Sequence, residues 1–368
     1  VTDPRPGTHP MRWRDAMAAA LYGPGGFFVS GAGPADHFRT SVHATPAFAA
    51  AVFRLVSRLD ATLGFPTPFD VVDVGAGRGE LLHTLTTLAH TGPAGPAPVP
   101  LARRLRLTAV ELAPRPPALP AHIAWTTTLP DAVTGLLVAT EWLDNVPLDL
   151  AAPAPTSPGA TTSNHRYLLV DPGTGVESAG PPLTVEDATW LTRWWPDPPG
   201  HPSAAGTPDD ADLPVGRIEI GRSRDEAWAQ AVRRVARGVA LAVDYGHLRQ
   251  ARPFDGTLTG YRGGRQVPPV PDGSCDITAH VAVDSVAAAG AGVAGCAYTL
   301  VSQREALRAL GADGGRPPLG LAGTDPAGYL RALAAASAVA ELTDPAGLGG
   351  HHWLLQPVGV AVDPLMAR

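Results

Sequence analysis

Residues 69–81 read FDVVDVGAGRGEL, and this stretch decides the fold. Phe69 to Val74 is a short, mostly apolar run, the pattern of a strand buried on both faces of a parallel sheet. Gly75, Gly77 and Gly79 then form a tight turn, and Arg78 to Ala89 is expected as the helix that follows. Glycine suits such a turn because no Cβ keeps the backbone from a ligand. A strand, a glycine turn and a helix in that order are the opening unit of an open α/β sheet.

Working outward, the pattern repeats. Leu105 to Glu111 (LRLTAVE) reads as the next strand, His122 to Trp125 as a weaker third and Leu136 to Thr140 as a fourth. Val239 to Asp244 (VALAVD) is predicted to join the same sheet. Upstream, Met11 to Tyr22 has helical spacing, stopped by Gly-Pro-Gly-Gly at 23–26. A longer helix is predicted over Thr45 to Leu63, with Thr45 as N-cap, Pro46 just inside the start and Gly64 closing it. Within 151–230, Tyr167 to Val170 and Arg217 to Ile220 look like strands and Thr184 to Trp195 like a helix. The tail suggests helices at 302–310 and 326–342, and an edge strand at Trp353 to Gln356.

At 368 residues the chain exceeds the roughly 250–300 at which single cores stop growing, so one main domain with an elaboration is expected. The boundaries proposed are an N-terminal helical extension at 1–64, a cofactor-binding half at 65–150, an insertion or lid at 151–235, and the rest of the sheet with C-terminal elements at 236–368.

The net charge of −6, with scattered Arg residues and no Lys, argues against a nucleic-acid face. The densest Arg cluster, 217–237, is interleaved with Glu219, Asp225 and Glu226 and reads as a solvated helix face. Two cysteines, Cys275 and Cys296, form neither a zinc motif nor a disulfide framework, and no metal site is expected. No apolar signal core and no apolar run of about 18 residues are present, so the expected location is the cytoplasm, without a membrane partner.

The spacing of the glycines separates two ligand classes. A dinucleotide fingerprint is GxGxxG, whereas here the third glycine comes one position early, at Gly79. Asp73 stands before the first glycine, where a carboxylate can draw the cationic amine of an amino-acid tail; it can also be a simple turn former. Glu111 ends the second strand, where an acid can accept both ribose hydroxyls. It lies 32 residues beyond Gly79 (111 − 79), more than the usual spacing of about 20, and the loop at 91–100 accounts for the excess. Together the two acids favour S-adenosylmethionine over a nicotinamide dinucleotide.

Several ordered stretches resemble the MidA-type S-adenosylmethionine-dependent methyltransferases, a family that includes bacterial proteins and a mitochondrial complex I assembly factor. Met17-Ala-Ala-Ala-Leu-Tyr-Gly-Pro-Gly-Gly-Phe-Phe is similar to the family's opening pattern, Asp36-His-Phe-Arg-Thr to its "DFxT" segment, and Val72 to Gly79 to its glycine loop. Glu141-Trp-Leu-Asp-Asn-Val-Pro, Leu241-Ala-Val-Asp-Tyr-Gly, Gly256 to Arg262 and Asp276-Ile-Thr-Ala-His-Val carry the likeness onward. Departures exist: Ser41-Val42-His43 replaces the family's "APE", Asp73 stands where Glu is common, and Thr140 where Asn is frequent.

The resemblance implies an α/β class I methyltransferase fold, Rossmann-like, with a mostly parallel sheet, an N-terminal helical extension and an inserted subdomain. It also implies protein substrates, with arginine side chains the attested acceptor. Candidate cofactor contacts are Thr40, Asp73, Gly75, Ala76, Gly77, Gly79, Glu111, Leu112, Thr128, Leu129 and Thr140.

Ligands of open α/β sheets lie outside the carboxyl ends of the strands, which makes Glu141 and Asp144 the candidate catalytic carboxylates. Alternatively, Glu141 touches only cofactor and Asp144 caps the next helix. His37 and His43 are second candidates for a base, and Asp244 and Tyr245 can line the acceptor side. Trp190, Trp194 and Trp195 are expected to pack a subdomain onto the core. Three functions stay open at this point: methylation of a protein nitrogen, methylation of a small molecule, and a non-catalytic assembly factor that retains the fold. The methyl acceptor, protein or small molecule, is the expected partner, and the oligomeric state is left open.

Overall fold

The computed structural model describes residues 9–29, 40–92, 96–153, 165–196, 216–312 and 314–366. The "DFxT"-like residues 36–39, with His37, fall outside them. The chain divides into two compact units. One comprises Val1–Phe38, Asp144–Ala227 and Gly246–Val286; the other comprises Arg39–Leu143, Trp228–Tyr245 and Ala287–Arg368.

The second of these units is built on a seven-stranded sheet. Its strands in chain order are β1 (Phe69–Val74), β2 (Leu105–Val110), β3 (Ile123–Thr126), β4 (Val133–Thr140), β5 (Val235–Asp244), β6 (Thr299–Ser302) and β7 (His352–Val358). In space they run β6-β7-β5-β4-β1-β2-β3. Every pairing among β1 to β5 is parallel. β7 runs antiparallel to both β5 and β6, so the α/β sheet is mixed.

All six residues of β1 are buried, as its apolar run requires. Two acids nevertheless sit in it. Asp70 is satisfied by the Arg106 guanidinium (Nη2 to Oδ2, 2.9 Å) and the Thr134 N–H (2.8 Å). Asp73 is not: its Oδ1 has no hydrogen-bond partner among the described residues.

The expected 326–342 helix is present, and the 302–310 helix spans Gln303–Ala309 behind a Ser302–Glu305 capping box. The upstream helix runs Pro46–Thr62, with the Thr45 hydroxyl accepting from the Ala47 N–H. Its end is a Schellman motif: Phe65 N–H reaches the Asp60 carbonyl, Gly64 N–H reaches that of Ala61, and Gly64 takes φ 77°. Phe48, Val52, Leu55 and Leu59 on this helix enter the same core as Val71, Leu136, Leu241 and Trp353. The helix after the glycine turn begins at Glu80, not Arg78, because Gly79 is its left-handed N-cap.

Trp353 to Gln356 is not an edge strand. It lies between β5 and β6 and is fully buried. Pro357, which lacks an N–H, is tolerated because β6 pairs only as far as Leu355.

The other unit has an antiparallel sheet in which His165–Val170 pairs with Met11–Arg12, Asp149–Pro153 and Glu177–Pro182, while Ile218–Ile220 extends it beyond Asp149–Pro153. Met11 and Arg12 therefore form a strand, and the first helix starts only at Trp13. Trp190 and Trp195 are buried with Tyr167, Ile218 and Ile220 inside this unit.

The Arg217–Arg237 cluster is a solvated face only in part: Glu226, Arg233 and Arg237 are exposed, but other members are not. Arg224 is 1% exposed, and its guanidinium donates to the carbonyls of Val146, Ala279, His280 and Asp144. Arg222 pairs with the buried Asp187. Alternating charge in the sequence conceals this, because it looks the same whether the partners are water or backbone.

Candidate functional site

The strand order reverses between β1 and β4: from β1 the chain passes outward to β2 and β3, then returns to the far side of β1. Such a switch point leaves a crevice at the carboxyl ends of the two central strands. The glycine turn follows β1 there. Gly75, Gly77 and Gly79 all have positive φ, at 71°, 58° and 83°. A Cβ on Gly75 would lie 2.9 Å from the Trp142 ring, and one on Gly79 2.7 Å from Leu119, so both positions require glycine for space as well as conformation. Beside Gly77 the nearest atom to a built Cβ is Glu80 Oε2 at 3.6 Å, which leaves that side of the loop open. Ala76 between them is buried.

Asp73 is 2% exposed, and its Oδ1 has no hydrogen-bond partner among the described residues. Burial pushes its carboxyl well above the usual range, and the negative charges of Glu80 and Glu111 push in the same direction. A buried polar atom without a partner is costly and demands a donor. A cationic amine meets that demand, so the residues present fit a ligand with an amino-acid tail.

Glu111 is placed differently from a free acceptor. Its Oε2 takes the Gly77 N–H (3.0 Å) and its Oε1 takes those of Leu112 (2.7 Å) and Ala113 (3.1 Å). The carboxylate thus clamps the glycine turn to the end of β2. Leu112 is half exposed at 50%. After β3, Thr128 is exposed and bonded through its N–H to Thr126 Oγ1, and Leu129 is partly buried. Thr140 ends β4 in register with Val243.

Glu141 follows at φ 49°, a left-handed conformation that is uncommon for a non-glycine residue. Strain of this kind persists where the surroundings over-determine it and clusters at functional sites. Here the Glu141 N–H is held by the Val243 carbonyl (2.8 Å), and its Oε1 accepts the Ser41 N–H (2.8 Å). Ser41 is fully buried and donates to Gln303 Oε1 at 3.3 Å. Thr40 caps the short helix Ser41–Ala44, and its hydroxyl meets His43 Nδ1 at 2.6 Å. His43 in turn reaches Glu80 Oε1 at 3.2 Å. Ser41 and Glu80 are site neighbours not singled out as candidates from the sequence; their positions next to Thr40 and Gly79 were the available signal.

Asp144 belongs to the other unit. It is 2% exposed, and its Oδ2 accepts from the Thr278 hydroxyl at 2.8 Å. Asp244 closes the end of β5 by accepting the N–H groups of Leu143 (2.9 Å) and Tyr245 (3.0 Å). No group of three or more metal-ligating side chains occurs among the described residues. None of the described helices is long and apolar enough to cross a membrane.

Residues 51–301 match the family model described as "Putative S-adenosyl-L-methionine-dependent methyltransferase". The fold is similar to two crystal structures from Burkholderia thailandensis. One is a COG1565 superfamily member, described as a "likely methyl transferase", bound to S-adenosyl-homocysteine; it shares 24% identity and a TM-score of 0.71, over 96% of this chain and 89% of that one. The other is a native structure of an uncharacterized COG1565 superfamily protein, with 24% identity and a TM-score of 0.71 over 97% and 90%. No curated protein matches the chain. The family match covers most of the chain and includes the glycine turn, both flanking acids and Glu141. The chain belongs to this family, the MidA-type S-adenosylmethionine-dependent methyltransferases.

Proposed function

We propose that the chain transfers a methyl group to a side-chain nitrogen of a protein, arginine being the acceptor that the family resemblance implies, on a class I, Rossmann-like methyltransferase sheet. The observation that carries the reading is Asp73, a buried carboxylate with a partnerless oxygen at the start of the glycine turn.

S-adenosylmethionine supplies an electrophilic methyl group on a sulfonium centre. The protein supplies position and charge. Asp73 would hold the ammonium of the amino-acid tail. Glu111 would face the ribose while anchoring the turn to the end of β2 through Gly77. The positive φ values of Gly75 and Gly77 let backbone approach the ligand, with Thr40, Ala76, Leu112, Thr128, Leu129 and Thr140 as flanking contacts. Glu141 would orient the acceptor nitrogen and draw off its proton, since the Ser41 bond fixes the carboxylate's direction. The burial of Asp144 and its bond to Thr278 support a role in holding the 143–145 turn.

The test is incubation of the purified protein and its Glu141→Gln variant with methyl-labelled cofactor and host lysate. Label in the protein fraction, absent with the variant, is the expected result. Label confined to small molecules would replace the acceptor class. S-adenosylhomocysteine binding without any transfer would make the fold a binding platform.

A further inference from the structure

The segment Thr40–Ala44 touches both halves of the candidate site, Glu141 through the Ser41 backbone N–H and the glycine turn through the His43 side chain. Gln303, itself fully buried, takes the Ser41 hydroxyl and the Trp353 indole N–H on one oxygen. Its amide group donates to the Leu342 carbonyl. This anchors the start of the segment, and the Ser41 N–H then fixes Glu141.

The other end of the segment reaches the glycine turn. His43 lies between Thr40 Oγ1 (2.6 Å) and Glu80 Oε1 (3.2 Å). The second oxygen of Glu80 accepts the Arg78 N–H at 3.0 Å, inside the turn itself. Burial alone would raise the Glu80 carboxyl, but the hydrogen bonds from His43 and from its own and the Arg78 backbone hold it below the usual range. Glu80 is therefore an anion whose direction is set by one imidazole and by two backbone N–H groups, its own and that of Arg78. Without His43 it would lose the side-chain bond on Oε1, and the carboxylate would turn about the remaining backbone bonds toward the open side of Gly77, where its Oε2 already lies 3.6 Å from a built Cβ. It would then lie nearer to Asp73, the charge it already opposes.

We propose that His43 is a positioning residue for cofactor binding: by holding Glu80 it keeps the 75–79 turn open, and through Thr40 and Ser41 it ties that turn to Glu141. The inference rests on the assignment of the turn as the cofactor site. Nothing in it requires His43 to touch cofactor or acceptor, and both charge states of the imidazole satisfy the two bonds. In the neutral ring Nε2–H donates to Glu80 and Nδ1 accepts from Thr40; in the cation both nitrogens donate.

The experiment is calorimetric titration of the full chain with S-adenosylhomocysteine. Wild type, His43→Leu, His43→Gln, Glu80→Leu and the His43→Leu/Glu80→Leu double variant are compared, with thermal unfolding measured on each. No binding by wild type would remove the turn assignment itself, whatever the variants do. Given wild-type binding, His43→Leu is expected to weaken affinity about tenfold, the scale of one hydrogen bond to a charged group. The amide donor in His43→Gln should restore it to within about threefold of wild type. The double variant should bind no worse than His43→Leu, because the lost interaction is the same one. Unchanged affinity in His43→Leu, no recovery in His43→Gln, or losses that simply add in the double variant would each overturn the proposal. If His43→Leu fails to fold, the half-exposed Glu80 carries the test through Glu80→Leu alone, which removes the same bond; the same tenfold loss is expected and unaltered affinity overturns it.

Discussion

Gly238 in β5 lies directly opposite Gly135 in β4, and a Cβ on Gly238 would sit 1.9 Å from the Gly135 carbonyl oxygen. A Cβ on Gly135 would sit 2.2 Å from the Asp70 carbonyl oxygen in β1. Both glycines have φ near 140° (142° and 144°), and a register shift at 235–237 immediately precedes the contact. The three central strands thus approach through backbone alone at the amino ends of β4 and β5. Gly238→Ala should cost about 3 kcal/mol, since neither conformation nor space admits the methyl group. Urea unfolding checks this; a loss under about 0.5 kcal/mol, the level of a neutral surface change, would mean the strands part without cost.

Asp73→Asn should stabilise the ligand-free protein at neutral pH and weaken its cofactor binding. The folded-state carboxyl titrates above its ordinary value of 3.8. Below the unfolded value the group is neutral in both states and costs nothing. As pH rises past it, the unfolded chain ionises first and folded stability falls. The variant's advantage should therefore be absent near pH 3.5 and present at pH 7, about 2–4 °C in Tm for each kcal/mol recovered. Calorimetric scans at the two pH values, with and without S-adenosylhomocysteine, decide it: an Asn variant that is no more stable at pH 7 sinks the idea.

Asp225 makes a second pH-dependent contribution of the same sign. Burial raises it to about 7, against the opposing hydrogen bonds from Ser285 and Trp190. These bonds join helices Val185–Trp194, Arg222–Arg233 and Val283–Ala294. Because the folded value lies above the unfolded one, stability should decline between about pH 4 and 7 and then level off. The difference in Tm between wild type and Asp225→Asn isolates this from other groups, and a pH-independent difference would contradict it.

Arg224→Lys should destabilise by about 2–3 kcal/mol, because an ammonium cannot span four carbonyls on two separate segments and leaves some of them buried and unsatisfied. Hydrogen exchange at 144–147 and 279–280 is the sensitive readout. Wild-type protection there in the Lys variant would assign those carbonyls another partner.

The parts of this molecule that were legible in the sequence are those where local chemistry and burial coincide. FDVVDV is apolar because β1 is covered on both faces, and Thr45-Pro46 and Gly64 mark a helix whose caps are made by their own side chains and dihedrals. The glycine turn and its two acids were legible for the same reason, although the engagement of Glu111 by three backbone N–H groups was not: nothing in a one-dimensional pattern says which way a carboxylate turns. Partnerships distant in sequence were hidden. Ser41 with Glu141 is separated by 100 residues, and Arg224 with Val146 by 78. Trp353 to Gln356 reads as an edge strand in the sequence because an interior antiparallel strand and an edge strand share one local pattern, and only the register with β5 and β6 tells them apart.

The reversed strand has a consequence for how the molecule is made. Residues 299–302 leave the ribosome about fifty residues before 352–358, their only neighbour in the sheet among the described residues. Until then β5, eight of whose ten residues are buried in the finished sheet, presents one unpaired edge to its surroundings. Assembly of the sheet therefore waits on a late insertion, and the nascent chain passes through a stage in which that edge is the natural target for chaperones or for self-association.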